Sequence, residues 1–405
     1  MTRISLFLLF LATFLTACQD DDDPITLIDV PTSYTFARNG ASTVSFDGQT
    51  TRIGMAEELV AALSDPNNSE ETLMNMFRNA GPNGEDVNPF ADADLNASDK
   101  SIRSKVAAST DYFSANATQS AAVRADFEGW ISSQANEVFP RWNELAAPGE
   151  AGQVATGSRV RYVNGQGLEY NQIFAKSLLG GLMLDQALNN YLSPAVLDAG
   201  TNRADNETGT TETGQTYTSM EHKWDEAYGY LFGQSADPAN PLATLGEDGQ
   251  FLNEYIATVD NDPDFAGTAQ TIFDAFLRGR AAIVAGDYAE RDRQAAVIRE
   301  HLSRVIAVRG TYYLARGADA TETETARGGG FHALSEAYGF IYSLQFTRNP
   351  ATGAPYFNRE EVRQLLATLT ESSANGLWDV TPASIRSVAQ QISDRFGFSF
   401  DAAAN

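Results

Sequence analysis

The sequence predicts an all-α fold made of two related helical halves, and three observations support this prediction. From Thr51 onward, apolar residues recur at spacings of three and four, which places them on one face of a helix. Residues that cap helix N-termini, followed by an acidic residue or a proline, precede several of these segments. A motif centred on a histidine also occurs twice along the chain. Amphipathic helices of this kind bury their apolar faces by packing into bundles.

Residues 1–17 have the layout of a signal peptide, with Arg3 followed by an apolar run over residues 4–15. This run is shorter than the roughly 20 apolar residues that a helix needs to span a bilayer. The next residue, Cys18, ends a Leu-Thr-Ala-Cys sequence that resembles a bacterial lipobox. Because Cys18 is the only cysteine in the chain, it cannot form an internal disulfide, and lipidation accounts for its presence.

Residues 18–50 are predicted to form an acidic tether. Four consecutive aspartates at residues 20–23 resemble the export tag of bacterial surface lipoproteins, although a solvated spacer would have the same composition. Residues 24–48 favour β structure and turns, and they are consistent with a short hairpin. The expected location is the outer membrane, held by acyl chains and facing outward, with a periplasm-facing lipoprotein as the alternative.

The charge of the chain limits its partners. Its 53 acidic and 28 basic residues give a formal net charge of −25. Nucleic-acid binding depends on clustered Lys and Arg that neutralise phosphates, so no nucleic-acid partner is expected. Cations and partners with basic surfaces suit this charge better.

Helices are predicted through most of the remaining chain. The first ends at Asp65-Pro66, and the second follows a cap at Asn68 and Glu71. Further helices are predicted at 98–114, 118–138, 167–192, 216–233, 263–285, 287–316, 330–347, 358–372 and 382–396. Loops are predicted at 139–166, 194–216 and 234–247 because these stretches are rich in Gly, Pro and polar residues. The predicted halves are residues 51–235 and 248–400.

The internal repeat pairs His222 with His332. The segment His-Lys-Trp-Asp-Glu-Ala-Tyr-Gly-Tyr-Leu-Phe from His222 recurs as His-Ala-Leu-Ser-Glu-Ala-Tyr-Gly-Phe-Ile-Tyr from His332, with five identical positions. A fainter match relates the Ile-Phe pairs at residues 173–174 and 272–273, each followed by Leu and Gly at the same spacing. These matches indicate two related helical halves.

The repeated motif suggests a site. Residues four apart share a helix face, so His222 lies beside Glu226 and His332 beside Glu336. If the two halves face each other, the four side chains could bind iron or zinc, since imidazole and carboxylate suit both metals. The alternative is that each His–Glu pair is a buried, hydrogen-bonded clip at the interface between the two halves. Glu169 is a further candidate, because it lies near Lys176 on a helix otherwise suited to burial, where it could line a site or form a salt bridge.

Two glycines within the motif call for a packing explanation. Gly229 and Gly339 each follow the histidine by seven residues. Glycine costs about 1 kcal/mol in a helix interior. A close contact with another helix would explain both positions.

The residues around His222 and Glu169 also resemble a known family. The run from Tyr217 to Tyr230, the Gly-Leu-Glu-Tyr-Asn-Gln segment at 167–172 and the start at residues 46–52 look like domain-of-unknown-function family 4856, a family of bacterial lipoproteins. That family is similar to the imelysin-like (peptidase M75-like) proteins, which have two helical bundles, are associated with iron acquisition and carry a G-x-H-x-x-E hallmark. Gly330 and His332 fit the first half of that hallmark, and Glu336 comes one residue later than the hallmark glutamate. After His222, the acid at the hallmark spacing is Asp225.

The sequence therefore predicts a surface lipoprotein that binds iron, or an iron-bearing or metal ligand, during uptake. One alternative is a metal-dependent, peptidase-like hydrolase with Glu226 or Glu336 as general base. Another is a non-catalytic accessory subunit of an outer-membrane transporter. Binding is favoured over catalysis because the chain lacks the H-E-x-x-H, G-x-S-x-G and Walker motifs and has no cysteine nucleophile.

Overall fold

The computed structural model of the protein describes residues 28–157, 159–322 and 327–405. The predicted signal peptide, the lipidation site Cys18 and the four aspartates at residues 20–23 lie outside these ranges. Within them, no helix is long and apolar enough to cross a membrane.

The all-α prediction is confirmed, since helices form the frame of the described residues and strands occur only in two small hairpins. The helices are α1 Asp47–Ala62, α2 Glu70–Arg78, α3 Ala93–Ala97, α4 Ala117–Ser133, α5 Tyr170–Leu178, α6 Pro194–Leu197, α7 Asn202–Thr208, α8 Ser219–Phe232, α9 Leu252–Asp260, α10 Thr268–Ala285, α11 Tyr288–Thr321, α12 Arg327–Ser343, α13 Arg359–Thr370, α14 Pro382–Phe396 and α15 Phe400–Ala404. The antiparallel hairpins are β1 Ala37–Arg38 with β2 Ala41–Ser42, and β3 Gly152–Thr156 with β4 Arg159–Val163. Wider π-helical turns extend α4 over Gln134–Val138 and follow α5 over Leu179–Leu184 and Ala187–Tyr191.

Several helix starts follow the capping signals in the sequence. Thr218 and Glu221 form a complete capping box at α8, as do Asn358 and Glu361 at α13. Thr381 caps α14 ahead of its first-turn proline. In each case a side chain satisfies a backbone N–H that has no partner within the helix.

Other boundaries differ from the prediction. The cap of α2 is Ser69 rather than Asn68. Helix α10 begins after Gly267, five residues beyond Asp262-Pro263, because Asp262 instead bonds to the backbone N–H of Asp264 in a local turn. Helix α9 falls in a stretch where no helix was predicted.

The helix predicted at residues 98–114 is wrong, because this stretch holds only two single 3-10 turns, Arg103–Lys105 and Phe113–Ala115. Backbone N–H groups there bond to distant residues, as Ala107 does to the carbonyl of Gly181 and Ser109 to the carboxylate of Asp185. These bonds take the place of those within a helix. The predicted loop at 139–166 likewise contains the β3–β4 hairpin.

The predicted N-terminal hairpin is present, but the tether is shorter than expected. Asn39 and Gly40 both have positive φ, as a two-residue hairpin turn between β1 and β2 requires. Tyr34 is already buried, and α1 begins at Asp47, inside the predicted tether.

The repeated motif occupies equivalent positions in two sets of three helices. Helix α8 lies between α1 and α10, while α12 lies between α5 and α11. A Cβ on Gly229 of α8 would lie 2.4 Å from Phe46 Cβ at the start of α1, and a Cβ on Gly339 of α12 would lie 2.4 Å from Lys176 Cβ in α5. The close helix contacts predicted for both glycines are therefore confirmed.

The opposite face of each repeat packs in the same way. Gly279 of α10 closes on the ring of Trp224, and Gly317 of α11 closes on Leu334. Trp224 and Leu334 are equivalent, each two residues after the histidine. The two sets interleave along the chain, and one hydrophobic core runs from Tyr34 to Ala403. The two predicted halves therefore share one core.

Asp185, after the first of the π-helical turns that follow α5, predicts a measurable pH dependence. Its carboxylate accepts the backbone N–H groups of Ala108 and Ser109 at 2.9 and 3.0 Å, and burial raises its pKa to about 6. The ordinary pKa of an unfolded aspartate is about 3.9, so the folded state binds the extra proton between these values. Lowering the pH from 7 to 4.5 should therefore add about 2 kcal/mol of stability through this group.

The matched variant for this prediction is Asp185→Asn. Urea unfolding of both proteins at pH 7, 6, 5 and 4.5 should show the wild type gaining about 2 kcal/mol on acidification relative to the variant, which has no proton to bind. Parallel pH curves for the two proteins would refute this role of Asp185.

Candidate functional site

The second copy of the repeat places His332 between two carboxylates. Its Nδ1 lies 3.1 Å from Glu169 Oε2, and its Nε2 lies 3.5 Å from Glu336 Oε2. Lys176 Nζ lies 3.5 Å from the other oxygen of Glu336. We call Glu169, Lys176, His332 and Glu336 the His332 cluster. It joins residues that the sequence suggested separately.

The fold holds this cluster firmly in place. Glu169 is the residue just before α5, and its backbone N–H donates to Ser335 Oγ at 2.9 Å, while that hydroxyl donates to the carbonyl of Phe331. The Gly339 contact brings α5 and α12 together one turn further along. The side chains of Glu169 and Glu336 are only 3% and 9% exposed, whereas His332 is 22% exposed.

Two neighbouring pockets border the His332 cluster. The inner pocket has a volume of about 160 Å³, and its lining includes Glu169, Gln134, Trp142 and Arg161. The outer pocket has a volume of about 420 Å³, and its lining includes Lys176.

Ser64 and Asn171 line both pockets, and their side chains form a 3.1 Å hydrogen bond between them. We call the two pockets together the α1–α5 cleft, because Ser64 lies two residues after the end of α1 and Asn171 lies in the first turn of α5.

The two carboxylates of the His332 cluster are paired differently. Lys176 lies beside Glu336, whereas Glu169 has no lysine or arginine partner among the described residues. In the outer pocket, Lys176 Nζ lies 5.1 Å from the centre of the Tyr255 ring. Burial, with the nearby charge of Glu336, raises the pKa of Tyr255 well above its ordinary value, so this phenol stays neutral. The site therefore suits a ligand that brings positive charge.

In the first copy of the repeat, the histidine and glutamate occupy equivalent positions but have different hydrogen-bond partners. His222 Nδ1 donates to the backbone carbonyl of Ser45 at 3.1 Å, and its ring stacks on Tyr217 at 4.5 Å. Glu226 bonds to Lys223 at 2.6 Å and to Gln49 at 3.0 Å. A backbone carbonyl thus takes the place that Glu169 holds in the second copy.

The pKa values of His222 and Glu226 in the first copy are both shifted downward. Burial lowers the pKa of His222, which keeps the imidazole neutral. Burial acts to raise the pKa of Glu226, but the charge of Lys223 and the hydrogen bonds from Lys223 and Gln49 lower it overall. His222 and Glu226 therefore each bond to the region where α1 begins, His222 through Ser45 and Glu226 through Gln49, rather than to each other.

The structure does not bring the two His–Glu pairs together. His222 and His332 have separate hydrogen-bond and ion-pair partners, and α8 and α12 pack on different helices. Within the described ranges, no group of three or more His, Cys, Asp or Glu side chains is placed to hold a metal ion. The two nitrogens of His332 face different carboxylates, so these groups do not converge on one point. The expectation of one site shared by His222, Glu226, His332 and Glu336 is therefore wrong.

The glutamates proposed as general base for the hydrolase alternative are both ion-paired. Each glutamate that it would use as general base, Glu226 or Glu336, is paired with a lysine.

Asp225, a candidate ligand from the sequence, lies in a buried ionic network. Arg280 is fully buried and bonds to Asp225 at 3.0 Å and to Glu221 at 3.1 Å. Tyr34 donates to Asp225 at 2.7 Å, and Arg38 pairs with Glu221 at 3.0 Å. Asp225 therefore fastens the N-terminal segment to α8 and is turned away from solvent.

Comparison with known proteins identifies the family of the chain. No curated protein and no solved structure gives a match. The similarity to imelysin-like proteins therefore stays a prediction. Residues 31–399 match the model of a family described as a domain of unknown function, DUF4856, and the chain belongs to this family.

Proposed function

We propose that the protein is a lipid-anchored capture protein of the outer membrane, which holds a positively charged ligand in the α1–α5 cleft during uptake. The His332 cluster is the observation that carries this proposal. It places the nearly buried carboxylates of Glu169 and Glu336 around His332, with Lys176 beside Glu336. Glu169 also lines the inner pocket, and its Oε1 has no hydrogen-bond partner among the described residues. Buried charge is costly unless it is paired, and a bound cation would supply the pairing.

Two sequence features support capture at a membrane. The lipobox at Cys18 supplies an anchor, and the net charge of −25 favours the approach of cations. The proposed orientation is outward, which suits a protein that passes its ligand to an outer-membrane transporter.

An iron-bearing complex is the specific ligand that we propose. The resemblance to imelysin-like proteins implies a role in iron acquisition. A complex whose own atoms complete the coordination of iron fits the cleft better than a bare iron or zinc ion, because the described side chains offer no converging set of three metal ligands. The protein would then bind the complex through charge and hydrogen bonds rather than through the metal.

The test is equilibrium dialysis of the purified lipoprotein in detergent, with metal content measured by mass spectrometry. Four probes are compared: ferrous iron, zinc, a cationic ferric trihydroxamate with a pendant ammonium group, and anionic ferric citrate. We expect the cationic complex to bind most tightly. Glu169→Gln should weaken it by about tenfold or more, since a hydrogen bond to a charged group contributes about 1.5–3 kcal/mol.

Glu226→Gln is the matched control, because it removes a glutamate from the equivalent copy of the repeat outside the cleft. It should leave the affinity within about twofold. If none of the four probes binds above background, or if both variants weaken binding equally, the proposed function is wrong.

A further inference from the structure

We propose that the inner pocket binds the ammonium and carboxylate groups of an α-amino acid. The inference rests on the proposed function in one respect, namely that the α1–α5 cleft captures a ligand. It adds the chemical class of the group that the inner pocket binds.

Three buried polar atoms belong to residues that line this one pocket, and each lacks a hydrogen-bond partner among the described residues. They are Glu169 Oε1, Gln134 Oε1 and Arg161 Nε. The Glu169 side chain is 3% exposed, and Gln134 is 2% exposed. A buried polar atom without a partner costs about 1–3 kcal/mol, so a pocket lined by three such residues is suited to an occupant that satisfies them.

The neighbouring contacts fix how these groups are presented. Glu169 uses its other oxygen to bind His332 at 3.1 Å. Gln134 uses its amide nitrogen to donate to the carbonyl of Leu63 at 2.8 Å, which leaves its oxygen as a free acceptor. The residues that line the pocket therefore include two with an unpartnered acceptor oxygen, Glu169 and Gln134, and an arginine of strand β4, Arg161.

The charges in the pocket are separated. Glu169 and Arg161 line the same space but form no ion pair within 4.0 Å, and Arg161 pairs with no other acid in the described ranges. A carboxylate and a guanidinium that share a pocket without touching match a ligand with one positive and one negative group. An ammonium would donate to Glu169 and Gln134, and a carboxylate would accept from Arg161.

The size and walls of the pocket agree with a small ligand. Its volume of about 160 Å³ exceeds the roughly 30 Å³ that one water occupies in the liquid several-fold. Trp142 and Tyr162 stack at 3.4 Å and give the pocket a flat aromatic wall. A longer side chain of the ligand would extend past Ser64 and Asn171 toward the outer pocket.

The experiment is isothermal titration calorimetry of the intact lipoprotein in detergent with each of the twenty L-amino acids. For any amino acid that binds, two analogues are added, the amine that lacks the carboxylate and the acid that lacks the amine. We expect at least one amino acid to bind and both analogues to bind at least tenfold more weakly. Fluorescence of Trp142, compared with the Trp142→Phe variant, reports whether binding occurs in the inner pocket.

Arg161→Gln should lower the affinity for the amino acid at least tenfold. Arg159→Gln is its matched control, because Arg159 is an exposed arginine on the same strand that does not line the pocket. Gln134→Leu, which removes the acceptor, should also weaken binding. Unfolding temperatures of all three variants show whether a loss of binding reflects a loss of folding.

The outcomes separate this inference from the proposed function. Binding of the cationic ferric complex, without binding of any amino acid, refutes the inference and leaves the proposed function standing. Binding of an amino acid that depends on Arg161, without binding of any iron complex, supports the inference and removes the iron-bearing ligand. Amino-acid binding that Arg161→Gln leaves unchanged also refutes the inference.

Discussion

Arg280→Ala is expected to lower the free energy of unfolding by about 3–5 kcal/mol, because it leaves buried Asp225 without its cation and Glu221 with only Arg38. Arg280 and Asp225 are fully buried, and Glu221 is 1% exposed. The guanidinium also donates to Thr43 Oγ1 at 3.0 Å, so it joins α10, α8 and the N-terminal segment. Removing it should loosen all three together.

Urea unfolding at pH 7 measures this effect. Arg386→Ala is the control, because Arg386 is 42% exposed and pairs only with exposed acids, and exposed pairs contribute about 0–1 kcal/mol. If the cost arises from the unpaired carboxylates, adding Glu221→Gln and Asp225→Asn to Arg280→Ala should restore part of the stability. A loss below about 1 kcal/mol for Arg280→Ala would contradict the ionic role of this network.

Gly339→Ala is expected to lower the free energy of unfolding by about 2–3 kcal/mol, because α12 and α5 touch at this position. The added Cβ would lie 2.9 Å from Ser177 N and 3.0 Å from Ile173 O, which are backbone atoms of α5 that cannot rotate away. The better helix propensity of alanine returns at most about 1 kcal/mol. The shift of α5 should also separate Glu169 from His332 and weaken ligand binding in the cleft.

Gly129→Ala is the matched control for this prediction. Gly129 lies within α4, and a Cβ there would meet no atom within 4 Å. Alanine should therefore stabilise the protein by about 0.5–1 kcal/mol at this site. Equal effects at Gly339 and Gly129, measured by urea unfolding, would show that the helix contact has no energetic importance.

The sequence predicted those parts of the fold that depend on local chemistry. The capping boxes at Thr218 and Asn358 and the proline after Thr381 act within one turn of helix, so the helix starts could be read from neighbouring residues. The stretch at 98–114 could not, because its backbone bonds to distant elements, as when Ala107 N–H donates to the carbonyl of Gly181. The β3–β4 hairpin was missed because its composition resembles that of a loop.

The candidate site was predicted in its parts but not in its arrangement. The repeat pointed to His332 and Glu336, and the polar residues on an otherwise apolar helix pointed to Glu169. Nothing in their spacing showed that Glu169 would meet His332 from a position 163 residues away. The repeat also suggested that its two copies would meet. This was wrong because a repeat in the sequence does not show which helices lie between its copies. Gln134 and Arg161 carried no signal at all, because single polar residues in a turn and a short strand are ordinary.

Helices α5 and α12 pack together although they lie far apart in the sequence, so α5 is synthesised long before its partner. Helix α5 ends at Leu178, and its partner α12 begins only at Arg327. At a synthesis rate of about 5–20 residues per second, this gap lasts about 7–30 s. Throughout that time the part of α5 that Gly339 of α12 contacts, at Ile173, Lys176 and Ser177, has no partner from α12. A newly made chain therefore requires protection from aggregation until its last third has been synthesised.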